Sequence, residues 1–263
     1  MLIFNERKSV RMKKVLLLAC SVMIISLVYA QPQATFYDMQ KSYPRVASAV
    51  TKKEDTLRKQ VERAGLTWPL KQLYIRSFKY DSQLEVWARN TSSEPYQLFK
   101  TYKVCALSGS LGPKRMEGDY QVPEGFYYIN VFNPRSTYHL SLGLNYPNAS
   151  DMVLSDSIQP GGDIFIHGSC LTVGCIPIQD HQIEELYILA SHARNQGQDF
   201  IPVHIFPIRY TNPKSVKILD KACNDDAQYK KFSANIKEVF DFFEEKKKLP
   251  LISVNSKGEY VIM

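Results

Sequence analysis

The sequence predicts a mainly β fold of the α+β kind, with helical segments before and after the strands. Between Leu73 and Ile208, short runs rich in β-branched and aromatic residues recur, separated by Gly, Pro, Asn and Asp. On either side the apolar spacing is helical, with Leu57, Val61 and Ala64 before the strands and Ile236, Val239, Phe240 and Phe243 after them. A chain of 263 residues, 44% of them apolar, can furnish one sizeable core.

Residues 1–30 stand apart as an export segment. Arg11, Lys13 and Lys14 precede the largely apolar run Val15 to Val28, and Val28-Tyr29-Ala30 has the small-residue pattern of a cleavage site. Met12 suits the start of such a segment better than Met1. The run is short for a membrane span, so any membrane contact is expected through this segment only. Leu17-Leu18-Ala19-Cys20 would also read as a lipoprotein box, but it strands ten apolar residues behind the cysteine. Removing residues 1–30 leaves 28 Lys and Arg against 25 Asp and Glu, too mild a balance for an electrostatic nucleic-acid binder. Periplasm or cell envelope is the expected location.

Residues 31–66 read as a helical segment closed by Gly65, and Trp68-Pro69 breaks it. Residues 67–210 read as the main domain. Strands are expected at Leu73 to Lys79 and Leu84 to Arg89, joined at Tyr80-Asp81-Ser82, then at Gln97 to Leu107, Phe126 to Phe132 and His139 to Leu144. The glycine-rich stretch from Ser108 to Lys114 matches no phosphate-binding loop and reads as a surface loop. Its Lys114 and Arg115 are candidates to pair with substrate carboxylates. Asn145 to Gly162 reads as loop. Asp180 is a plausible N-cap for a helix presenting Ile183, Leu186, Tyr187 and Ala190, and Ile201 to Ile208 returns as a strand. Residues 211–263 read as a helical extension ending in a short hairpin around Asn255-Ser256-Lys257-Gly258.

Chemistry concentrates in Ile164 to Ile178, IFIHGSCLTVGCIPI. Two apolar runs flank a Gly-punctuated connection, a strand–turn–strand pattern that can set His167 beside Cys175. A thiol with an ordinary pKa of about 8.5 needs such a base, and a neighbouring imidazolium is expected to lower that value. His139, His181, His192 and His204 have no partner motif. Two other uses of the stretch remain open on the residues alone. His167, Cys170 and Cys175 could bind zinc, although no fourth ligand stands at a usual spacing. Cys170 and Cys175 could form a local disulfide.

The ordered landmarks LEVW, FKTY, SGSLGPK, PEGFYYI, IFIHG and VGCIPI resemble the L,D-transpeptidase (YkuD-type) catalytic domain, from about Leu73 to Ile208. They come nearest to the branch containing the peptidoglycan meso-diaminopimelic acid protein amidase. The resemblance implies a β-sandwich or barrel-like domain acting on peptidoglycan stem peptides, and on a protein attached to them, without a cofactor or metal. It implies Cys175 as nucleophile, His167 as base, Gly168 as the carbonyl that orients the base, and backbone N–H groups near Val173, Gly174 and Cys175 as the oxyanion hole. The chain departs from the broad family in three places. Its spacer between His167 and Cys175 is short, Val173 replaces a second histidine, and Pro177 replaces a polar residue. The fold without catalysis, as a cell-wall-binding module, is the non-enzymatic alternative.

Overall fold

The β-like runs assemble into one eight-stranded sheet in a computed structural model, which describes residues 34–263. The expected export segment, residues 1–30, lies outside the described residues. The strands are β1 (Gln72–Phe78), β2 (Gln83–Arg89), β3 (Gln97–Lys103), β4 (Gly125–Asn133), β5 (Ser141–Leu144), β6 (Phe165–His167), β7 (Ile176–Pro177) and β8 (Ile201–Phe206), ordered β3-β2-β1-β8-β4-β5-β6-β7. Neighbours are antiparallel except for β1 with β8 and β6 with β7.

β3 and β7 are the two edges, and they meet. The Cys105 N–H donates to the Pro177 carbonyl at 3.0 Å, just beyond the end of β3. Gln182 spans the same seam, accepting from the Lys103 N–H and donating to the Lys103 carbonyl, each at 3.0 Å. The sheet therefore curls towards closure, which satisfies edge groups that would otherwise face water.

Helix α1 (Phe36–Lys41) and helix α2 (Pro44–Arg63) replace the single N-terminal helical segment expected from periodicity. Pro44 explains the break: it lacks an N–H and suits the first turn of a new helix. A short helix α3 (Ala149–Leu154) lies where a loop is expected. Its signal is a capping box, with the Asn148 side chain accepting from the Asp151 N–H and the Asp151 side chain accepting from the Asn148 N–H. Helix α4 (Asp180–Asn195) buries Ile183, Leu186, Tyr187 and Ala190 as its apolar face requires.

Helices α5 (Pro213–Cys223) and α6 (Ala227–Lys246) precede an antiparallel hairpin of β9 (Ile252–Val254) and β10 (Tyr260–Ile262). Phe240 and Phe243 of α6 are fully buried against Phe78, Phe206, Tyr74 and Trp87. Arg76 on β1 is buried there too. It is held by Glu85 and, at 2.7 Å, by Glu244 of α6, so its charge is compensated from both sides. Among the described residues, no helix is long and apolar enough to cross a membrane.

Candidate active site

His167 ends β6 and Cys175 immediately precedes β7. These strands run parallel, with Ile166 opposite Ile176 and His167 opposite Pro177, not as the hairpin that the strand–turn–strand pattern suggests. The connection crosses over within residues 168–175, and a disulfide ties it down. Cys170 is bonded to Cys105, pinning the connection to the β3 edge. The local Cys170–Cys175 bridge does not form, and Cys175 is free. The disulfide also removes Cys170 from any His167, Cys170 and Cys175 ligand set.

Strand alternation puts His167 and Cys175 on one face, opposite the buried Ile166 and Ile176. His167 Nδ1 lies 2.5 Å from the Gly168 carbonyl oxygen. A carbonyl only accepts, so Nδ1 carries the proton and the neutral ring keeps its lone pair on Nε2. That Nε2 is buried and, among the described residues, has no hydrogen-bond partner. A buried, unpartnered polar atom is costly, and a catalytic role is one reason for a fold to keep it.

Gly168 has no room for a side chain. A Cβ there would meet the Asp180 Oδ1 at 2.6 Å and the Tyr138 carbonyl oxygen at 2.8 Å. Asp180 is the first residue of α4 and does not cap it; Gln179 occupies the cap position. Its carboxylate instead accepts from the Ser169 N–H at 2.7 Å, fixing the turn that follows the histidine.

Around Cys175 the contacts are with backbone. The Phe165 N–H donates to its Sγ at 3.4 Å, and the thiol faces the Asp163 carbonyl at 3.5 Å. Thr172 shapes the turn before it, accepting from the Gly174 N–H at 3.1 Å and donating to the Cys175 carbonyl at 2.8 Å. Gly174 sits at φ +141°, where a side chain is strained, with the Gln121 carbonyl against it. Leu171 and Val173 of this turn are exposed.

Electrostatics favour a neutral resting pair. Burial pushes the Cys175 thiol up; the Phe165 N–H and Lys114 oppose this, while Asp163 adds to it. Burial also pushes His167 down, with the Gly168 carbonyl opposing. The surroundings of both groups thus work against the expected lowering of the thiol pKa by an imidazolium. Both groups are sheltered from water, and the charged form of each is the one disfavoured.

Lys114 and Arg115 both have internal partners. Lys114 Nζ is 2.7 Å from Asp119 Oδ1, and Arg115 is 3.2 Å from Asp151 while stacking over Phe232. Arg115 lines a groove of about 820 Å³ between residues 111–115, α6 and the hairpin, which neither Cys175 nor His167 lines. The chemistry, not the larger volume, marks the site.

Residues 81–205 match the family model for the L,D-transpeptidase catalytic domain, YkuD. The chain is also 33% identical over 192 residues, 72% of its length and 73% of the relative's, to the "Putative L,D-transpeptidase YafK" of Escherichia coli (strain K12). The chain belongs to the L,D-transpeptidase family. The same values hold for YafK of Escherichia coli O157:H7. Among solved structures, the chain is similar to the helical cell shape determining protein Pgp2 from Campylobacter jejuni, at 19% identity and TM-score 0.41 over 72% of this chain and 77% of that one. It is also similar to Bd1075 of Bdellovibrio bacteriovorus, at 18% identity and TM-score 0.39 over 72% and 79%. In this L,D-transpeptidase-family chain, His167 and Cys175 both lie inside the matched span, and α6 and the hairpin lie beyond it.

Proposed function

We propose that the protein is an exported cysteine enzyme that hydrolyses the amide joining a protein to peptidoglycan diaminopimelate. The observation that carries this reading is the fixed tautomer of His167, whose unpartnered Nε2 shares a face with the Cys175 thiol. In this reading His167 Nε2 takes the thiol proton as Sγ attacks the diaminopimelate carbonyl. The tetrahedral oxyanion meets backbone N–H groups of the Val173–Cys175 turn; that of Gly174 is already given to Thr172, so those of Val173 and Cys175 serve. His167 returns the proton to the departing amine of the attached protein, leaving a thioester. Water, deprotonated by the same imidazole, then releases the stem peptide and restores the thiol.

Hydrolysis is favoured over cross-linking by the apolar rim. Exposed Leu171 and Val173, with Pro177 on β7, flank the nucleophile where the broad family carries groups that could hold an amine. Residues 1–30 deliver the enzyme to the periplasm and are cleaved. The test is incubation of purified enzyme with sacculi bearing covalently attached protein, followed by mass spectrometry of the muropeptides. Released protein with intact diaminopimelate stems is the expected result. New diaminopimelate–diaminopimelate cross-links without release would instead make the protein a transpeptidase, and an unchanged sacculus would leave it a binding module.

A further inference from the structure

The imidazole of His167 has one aromatic neighbour that neither the sequence motif nor the reaction uses. The Tyr138 ring lies against it with centroids 4.7 Å apart and planes at 28°, a stacked arrangement. The backbone of Tyr138 is anchored on both sides. Its N–H donates to Ser136 Oγ at 3.1 Å, and its carbonyl abuts Gly168, whose own carbonyl holds Nδ1. His167 is 1% exposed while Tyr138 is 42% exposed, so the tyrosine is the lid between the base and solvent.

We propose that Tyr138 is a positioning residue for His167: it holds the imidazole in plane and, through its π face, stabilises the imidazolium formed when the thiol proton is transferred. The idea rests on His167 acting as the base. At rest the ring is neutral, and burial resists its protonation. A proton arriving from Cys175 therefore creates a cation in a dry site. Among the described residues, no carboxylate is bonded to His167 to receive that charge; Nδ1 has the Gly168 carbonyl. The electron-rich face of an aromatic ring attracts a cation within about 6 Å, and more strongly when water is excluded. Tyr138 is at that distance.

The other groups around the imidazole do not supply the same effect. Its strand partners Ser141 and Pro177 do not titrate in this range. His139 lies behind Gly168 and is bonded to Glu184 at 2.9 Å. The Asp180 carboxylate is committed to the Ser169 N–H. Asp163 and Lys114 act on Cys175.

The test is an NMR titration of the His167 ring in the full chain with Tyr138→Phe, Tyr138→Trp and Tyr138→Leu. Phe should leave the His167 pKa with wild type, Trp should raise it, and Leu should lower it by about 0.5–1 pH unit. On sacculi, Leu should slow kcat about 3- to 10-fold with KM little changed, the same shift expressed as a rate. A purely structural tyrosine would give equal losses with Phe and Leu, or no movement of the His167 pKa, and either result overturns the proposal. Should Leu fail to fold, a Trp variant whose His167 pKa does not rise has the same force. The titration needs no peptidoglycan. An inactive protein with the predicted shifts would therefore refute the amidase reading alone.

Discussion

The Cys105 N–H reaches the Pro177 carbonyl at 3.0 Å, so the seam of the curled sheet runs two residues from Cys175 in sequence. The Cys105–Cys170 disulfide crosses that seam between residues 65 apart in sequence. It anchors the connection from His167 to Cys175 three residues after the histidine.

Cys170→Ala should therefore lower stability by about 2–4 kcal/mol in urea unfolding, the typical worth of a disulfide. Turnover should fall but persist, because Cys170 is taken up in the disulfide while the Cys175 thiol stays free. Cys175→Ala should unfold at nearly the wild-type urea concentration and show no turnover. A dead Cys170→Ala beside an active Cys175→Ala would reverse the assignment of nucleophile.

Gly168→Ala should be far more damaging than its single methyl suggests. The added Cβ meets the Tyr138 carbonyl and the Asp180 carboxylate inside 3 Å, and the Tyr138 atom is backbone. Relief requires moving either β6 or the Tyr138 turn, at a cost of about 1–3 kcal/mol. Because the Gly168 carbonyl fixes His167, kcat should drop by more than tenfold while Cys175 stays alkylatable. Thermal melting read together with kcat distinguishes this from simple unfolding.

Much of this site was legible in the residues. His167 and Cys175 stand out as a pair around a Gly-punctuated connection, and the strand runs from Leu73 to Arg89 lie within a residue of β1 and β2. What escaped was set by long-range geometry. Parallel pairing of β6 with β7 depends on a crossover that no local pattern of 2-residue and 3-residue strands encodes. Asp180 looked like a cap because caps and turn-holding carboxylates share a residue type; only the position of Ser169 tells them apart. Helix α3 was hidden by its brevity, although Asn148 and Asp151 spell its capping box. Tyr138 sits nearly thirty residues before His167, and nothing in its neighbours marks the stack.

The pH dependence follows from the two burial shifts. His167 is depressed below 6.5, so the base stays deprotonated to lower pH than a free imidazole, and turnover should rise through a midpoint below 6.5. A depressed group contributes stability present above its unfolded pKa and lost as pH falls through its folded value, so acid should destabilise the wild type more than His167→Gln. The thiol is raised above 9, and its stabilising contribution is present below its unfolded pKa and lost as pH climbs through the folded one. Iodoacetamide labelling of Cys175 should accordingly keep accelerating beyond pH 9. A labelling midpoint below 8.5 would mean that an ion pair, not a neutral pair, is the resting state.

Lys114 offers the sharpest separation of structure from chemistry. It is buried, bonded to Asp119 and to the Met116 carbonyl at 2.7 Å each, and its charge favours the Cys175 thiolate. Asp119 does not depend on it alone. Burial pushes that carboxyl up, but Lys114 and the N–H groups of Gln121, Arg115 and Met116 together hold it below the usual range. With Lys114→Met the three N–H donors remain, so the 115–121 turn should stay folded and Asp119 ionised. The thiol loses the cation that favours its ionised form. Its labelling midpoint should move to still higher pH, with labelling at fixed neutral pH roughly two- to tenfold slower, as expected for a partly screened charge. Amide exchange of Arg115 and Met116 reports whether the turn is intact. If the turn is intact and the labelling profile unmoved, Lys114 serves the loop and has no part in tuning Cys175.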